Sequence, residues 1–145
     1  MYKNICEEVN KIVSPVYLVG GAVRDIILGN DPKDLDFTTP LSPDEIESAI
    51  RTAGKHPYLI GKRFGTVGMK IDGQLVEVTT FRTEQYKEGS RKPQVEFVKD
   101  ITADLSRRDF TINAIAIRDG RIIDPFKGQE DLNKNPQRKD KEEAF

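Results

Sequence analysis

The sequence contains no tryptophan, one cysteine and one histidine. A lone Cys6 permits no internal disulfide and fits a reducing, cytoplasmic compartment. A lone His56 cannot complete a structural zinc cluster with it, and a serine triad would depend on that one imidazole. Both are read as structural residues. No run approaches the roughly 18 apolar residues of a membrane span, and the opening MYKNICEEVN lacks a signal peptide's apolar stretch, so no membrane partner is expected. Neither sign of charge dominates: 23 Lys and Arg against 24 Asp and Glu leave a formal net charge of −1. That balance argues against strong nucleic-acid binding by this chain alone, and against a pure RNA-binding or scaffold role. Internal repeats are absent. At 145 residues the chain predicts one domain with a real core. Its abundant hard-chemistry ligands are carboxylates, which suit magnesium.

The pattern alternates helices and strands. Ile5, Val9, Ile12 and Val13 recur at helical spacing, and Val16–Val19 reads as a buried strand. Gly20-Gly21 turns the chain into a second helix with Val23, Ile26 and Ile27 inward, closed at Gly29. A strand is predicted over Leu35–Thr38. Ser42-Pro43-Asp44-Glu45 opens a helix reaching about Ala53. Tyr58–Ile60, Gly65–Ile71 and Leu75–Phe81 read as strands, the last two joined at Asp72-Gly73. Lys62-Arg63 reads as a solvated turn. Thr83–Gln94 reads as a mobile loop, Val95–Val98 as a short strand, and Ala103–Ala114 as helical. Ile115–Ile117 and Arg121–Ile123 flank Asp119-Gly120 as a hairpin. Asn133–Phe145 is mostly charged with little to bury, and a flexible tail is expected there.

Four constellations could carry chemistry. Asp34-Leu35-Asp36, on a predicted strand, would place two carboxylates on one face, a repulsion that a cation between them would relieve. A polar edge-strand face is the bland alternative. Glu77 interrupts an apolar, β-branched strand and reads equally as a third carboxylate or as that strand's wet face. Gly20-Gly21 at a helix start would let backbone N–H groups approach a phosphate, with Arg24 in reach of a triphosphate. No Gly-Lys-Ser/Thr follows, the Rossmann glycine spacing is absent, and Arg24 could instead pair with Asp25 or Asp31. In Ser106–Ala114, a helix would put Asp109 and Asn113 on one face for sugar hydroxyls, with Arg107 and Arg108 for phosphates or a ribose edge. Ser106 and Asp109 also have capping-box spacing.

Together these segments carry a resemblance. Leu18–Gly29 followed by Asp34–Thr38 resembles the first motif of class II CCA-adding enzymes and bacterial poly(A) polymerases, members of the DNA polymerase β-like nucleotidyltransferase superfamily. Arg107–Ala116 resembles their second motif, Val76–Arg82 the strand bearing their third carboxylate, and Asp124–Leu132 the segment leaving their catalytic head. The likeness spans about Val16–Leu132. It implies an α/β head over residues 1–132 with a mixed sheet of about five strands backed by helices. It further implies two magnesium ions held by Asp34 and Asp36, with Glu77 a ligand or orienting base. Gly20 and Gly21 would bind the triphosphate; Arg24, Arg82, Arg107, Arg108, Asp109 and Asn113 complete the nucleotide site.

The implied activity is template-independent transfer from CTP or ATP to an RNA 3′ end, with the tRNA 3′ end as acceptor and CCA addition ahead of poly(A) addition. The mobile segment matches one that the family uses in switching between nucleotides. The family's base-selecting Asp-x-x-Arg motif has no counterpart in Asp140-Lys141-Glu142-Glu143. Neck and body functions are therefore expected from other domains, a separate chain or a second copy. A non-catalytic nucleotide-binding module is the alternative of a different class, disfavoured by the complete carboxylate set.

Overall fold

The computed structural model describes residues 2–86, 93–108 and 110–134. Its elements are α1 (Tyr2–Ile12), β1 (Tyr17–Val19), α2 (Gly21–Ile27), β2 (Asp36–Thr39), α3 (Pro43–Thr52), a 3-10 turn (Lys62–Phe64), β3 (Thr66–Ile71) and β4 (Gln74–Thr80). Then follow β5 (Arg82–Tyr86), β6 (Pro93–Phe97), α4 (Ile101–Ser106), a second 3-10 turn (Thr111–Asn113), β7 (Ala116–Arg118), β8 (Arg121–Ile123) and α5 (Gly128–Lys134). Among the described residues, no helix is long and apolar enough to cross a membrane.

A mixed six-stranded sheet runs β3-β4-β2-β1-β7-β8, with β5-β6 as a separate two-stranded sheet. The main sheet thus has one strand more than expected. The β7–β8 hairpin supplies it by extending the sheet beyond β1, where Leu18 pairs with Ile117 and Val19 with Ala116. β2 lies parallel to β4, while the other neighbours are antiparallel.

Alternation along the strands divides the chemistry. Phe37, Val67, Met69, Val76 and Val78 point to one face and pack under Ile5 and Val9 of α1, Val23 of α2, and Ile46 and Ile50 of α3. Ile46 and Ile50 are fully buried, each contributing roughly 2–3 kcal/mol of apolar burial. On the other face, Val19, Leu105, Ala114 and Ala116 form a second, smaller cluster under α4. This cover lies over β1 and β7, so the β2–β4–β3 end of that face stays open.

α3 begins as expected. The Ser42 backbone N–H donates to Glu45 Oε1 (3.0 Å) and the Glu45 N–H donates to Ser42 Oγ (3.2 Å), a reciprocal capping box ahead of Pro43. Ser42→Ala removes one acceptor and is expected to cost about 1 kcal/mol in a urea melt, with no change in slope.

Four expectations need correction. Asp34 and Leu35 precede β2, which starts at Asp36. Tyr58–Ile60 makes only an isolated bridge, Tyr58 to Gly68, because the chain then tightens into the 3-10 turn. Lys62 there is part-exposed but paired: its Nζ lies 2.6 Å from Asp44 Oδ1 and 2.7 Å from Glu47 Oε1, fastening the turn to α3. Ala103–Ala114 is not one helix, since α4 ends at Ser106 and Phe110 is extended (φ −123°, ψ 144°) before the second 3-10 turn.

Half of the segment read as a loop, residues 83–86 and 93–94, also differs. Arg82–Tyr86 pairs with Pro93–Phe97. A two-stranded ladder outside the main sheet needs no strict apolar alternation, so its charge content concealed it. Residues 87–92 of the expected mobile segment, and residues 135–145 of the expected tail, lie outside the described residues.

Candidate active site

β1 ends at Val19, and the chain enters α2 through Gly20 with φ 77° and ψ −149°. That backbone region is open essentially to glycine alone. The space around Gly20 is empty, so conformation, not crowding, requires glycine there. The turn carries α2 past the start of β2. Gly21, Ala22, Arg24 and Asp25 line one cavity of about 520 Å³ together with Asn30, Asp31, Lys33, Asp34 and Asp36. Asp34 and Asp36 therefore open into the same space although only Asp36 is in a strand. Arg24 Nε lies 3.8 Å from Asp25 Oδ1, the neighbouring pairing that its sequence position allowed. Lys33 is a cavity residue that the sequence reading passed over; its place directly before the paired aspartates was the available signal.

Glu77 reaches this neighbourhood through register. On parallel strands β2 and β4, Asp36 pairs with Glu77, which places their side chains on the same open face about 4.8 Å apart along the ladder. Val19 flanks Asp36 on one side and Gly68 flanks Glu77 on the other. Glu77 faces a second cavity, of about 560 Å³, with Tyr58, Phe64, Leu75 and Arg82. Among the described residues, no three carboxylate, histidine or cysteine side chains converge into a ready-made metal cage. The structure joins Asp34 with Asp36 and sets Glu77 one strand away.

The cations come from the far side. Asp104 of α4 is completely buried. Its Oδ1 accepts the Arg82 backbone N–H at 2.9 Å and lies 3.7 Å from Arg107 Nε, while its Oδ2 lies 3.7 Å from Arg108 Nη2. Arg82 Nη1 donates to the Phe64 carbonyl. Burial first, and then the like charge of Arg107, pulls the Arg108 guanidinium down to about 10. Burial likewise raises the Asp36 carboxyl above its ordinary value; the Arg108 charge partly offsets this, and Asp34 adds to it. Arg108 thus sits close enough to Asp36 to feel its charge.

Asp104 is the second residue that the sequence reading missed, although an aspartate three and four positions before two arginines was the signal. Asn113 is half-buried on the second 3-10 turn, beyond the end of α4 at Ser106. Asp109 itself lies outside the described residues.

Paired aspartates at a strand start, a carboxylate in register on the parallel neighbour, a glycine-led helix beside them and a buried arginine cluster make up one composite candidate site. The family model described as the poly A polymerase head domain matches residues 16–137, and the chain belongs to that family. It is 40% identical over 142 residues to a CCA-adding enzyme of Staphylococcus aureus, covering 92% of this chain and 34% of that protein.

Among solved structures it resembles a Bacillus stearothermophilus CCA-adding enzyme in complex with CTP, at 36% identity and a TM-score of 0.76 over 95% of this chain and 32% of that one. It also resembles a tRNA nucleotidyltransferase complexed with a primer tRNA and an incoming ATP analogue, at 33% identity and a TM-score of 0.60 over 92% of this chain and 36% of that one. The chain spans about a third of the length of the curated relatives it matches.

Proposed function

We propose that this chain is the catalytic head of a template-independent RNA nucleotidyltransferase that transfers nucleotides from CTP and ATP to a tRNA 3′ end, completing its CCA terminus. The observation that carries the reading is the Asp36–Glu77 register beside Asp34, which opens into a shared cavity with Arg24 and Lys33. The S. aureus and B. stearothermophilus relatives favour CCA addition over poly(A) addition.

The donor set suits magnesium. Two oxygen-rich side chains share a cavity, one carboxyl is raised by burial and by its like-charged neighbour, and magnesium typically takes one or two carboxylates plus substrate phosphates instead of a closed protein cage. Asp34 and Asp36 would hold two such ions. Bound there, they would neutralise charge on the reacting phosphate and on the leaving pyrophosphate.

The remaining work falls to the chain itself. Gly20 and Gly21 would let the start of α2 approach the triphosphate, with Arg24 and Lys33 along the same cavity wall. Arg82, Arg107 and Arg108 would supply cationic donors to the nucleotide, and Asp109 and Asn113 would contact its sugar. Glu77 would orient the RNA 3′-hydroxyl, which attacks the α-phosphate as pyrophosphate departs. Base selection and the grip on the RNA body are assigned to parts of the relatives beyond this third, reached through further chain, a separate chain or a second copy.

The test is incorporation of labelled CTP and ATP, separately, into a tRNA lacking its CCA end, with magnesium and an Asp34→Ala/Asp36→Ala control. Incorporation that the control abolishes supports the proposal. Magnesium-dependent nucleotide binding without incorporation would mean an intact site that needs the remaining domains, and the absence of both incorporation and binding would overturn the enzymatic reading of this chain.

A further inference from the structure

Three arginines meet around one carboxylate that no proposed step uses. Arg107 and Arg108 have side chains only 17% and 16% exposed, and Asp104 between them is at 0%. Burying two adjacent guanidiniums is costly without a counter-charge. Asp104 supplies that charge, but at 3.7 Å to each arginine it pairs without a direct hydrogen bond. The Nε–H groups of both arginines remain buried with no hydrogen-bond acceptor among the described residues. The carboxylate thus compensates their charge, while these Nε–H groups and its own Oδ2 stay without hydrogen-bond partners among the described residues. Its one short bond goes elsewhere, to the Arg82 backbone N–H at 2.9 Å, which joins the start of β5 to α4. Arg107 is the C-cap of α4, where the helix dipole favours cations.

We infer that Asp104 is a positioning residue for the nucleotide: it holds the Arg107 and Arg108 guanidiniums together at the end of α4, and ties Arg82 to the same hub. The partner that the part-exposed guanidiniums fit is a polyanion with several acceptor oxygens, such as a nucleoside triphosphate. This rests on the reading of Arg107 and Arg108 as nucleotide-binding.

The experiment compares Asp104→Asn with Arg107→Ala/Arg108→Ala in the protein, titrating ATP with magnesium by calorimetry and following the arginine Nε–Hε NMR signals. Asn keeps an oxygen for the Arg82 N–H while removing the charge. Asp104→Asn is expected to weaken ATP binding about tenfold and to collapse the dispersion of the Arg107 and Arg108 signals. Added to the double arginine variant, it should bring no further loss, because the residues act as one unit.

Wild-type affinity and unmoved arginine signals in Asp104→Asn, with binding lost in Arg107→Ala/Arg108→Ala, would overturn the positioning role alone. Unchanged affinity in Arg107→Ala/Arg108→Ala would overturn the nucleotide reading of these arginines, and the inference with it. If Asp104→Asn does not fold, the wild-type signals decide. Dispersed, slowly exchanging resonances that shift on adding ATP support the inference, and averaged, fast-exchanging ones overturn it.

Discussion

Asp36→Ala is expected to lower nucleotide incorporation about a thousandfold while leaving the fold intact. Asp36 opens into the cavity that Arg24, Lys33 and Asp34 share, and it stands in register with Glu77. It is the one carboxylate that adjoins both of its counterparts. Removing such a group in other enzymes costs a hundredfold to a thousandfold or more in turnover. The accompanying stability effect has the opposite sign. The folded-state pKa of Asp36 is raised, chiefly by burial. The protonated carboxyl is therefore the form that the fold favours, and that contribution is lost as pH rises through the carboxylate range. Asp36→Asn should melt above wild type at neutral pH, and the difference should vanish in acid below about pH 4. A paired incorporation assay and pH-resolved melt check both halves. Full activity in a folded Asp36→Ala protein would remove Asp36 from the catalytic set.

The second large effect is structural and lies away from the carboxylates. A Cβ added at Gly128 would sit 2.1 Å from the Thr111 carbonyl oxygen and 2.8 Å from Ile115 Cδ1. The first obstacle is backbone, which cannot rotate aside. One other link presses the same elements together, Thr111 Oγ1 donating to the buried Asp131 Oδ2, while Asp124 fixes the start of α5 by accepting the Gly128 and Gln129 N–H groups at 2.6 and 2.9 Å. Gly128→Ala must therefore push α5 off the 3-10 turn that carries Asn113. A loss of about 3 kcal/mol is expected, read as a fall of about 10 °C in Tm. Gly73→Asn serves as the control, since nothing lies within 4 Å of a Cβ there and asparagine tolerates the positive φ. An unshifted melt for Gly128→Ala would show that α5 does not pack against the turn as described.

What could be read in the sequence was local. The Ser42 capping box, the Asp72-Gly73 and Asp119-Gly120 hairpins and the Gly20 turn each depend on residues within about four positions of one another. Propensity and hydrogen bonding act at that range whatever the fold. The motifs around Asp34, Glu77 and Arg107 were also visible as compact runs; each alone admits a structural role, and only their combination carries the resemblance.

Distant partners were not visible. Asp104 and Arg82 are joined across 22 positions, Gly128 and Thr111 by close backbone approach, and Asp36 and Glu77 by the pairing of non-consecutive strands. Even the helix expected through Asp109 and Asn113 gave way once α4 ended at Ser106 and the following turn docked under α5. The residue types and short-range turns belong to the sequence by itself. Which carboxylate became a hub for arginines, and which faced the open cavity, was decided by packing, because burial and register arise only when distant segments share one core.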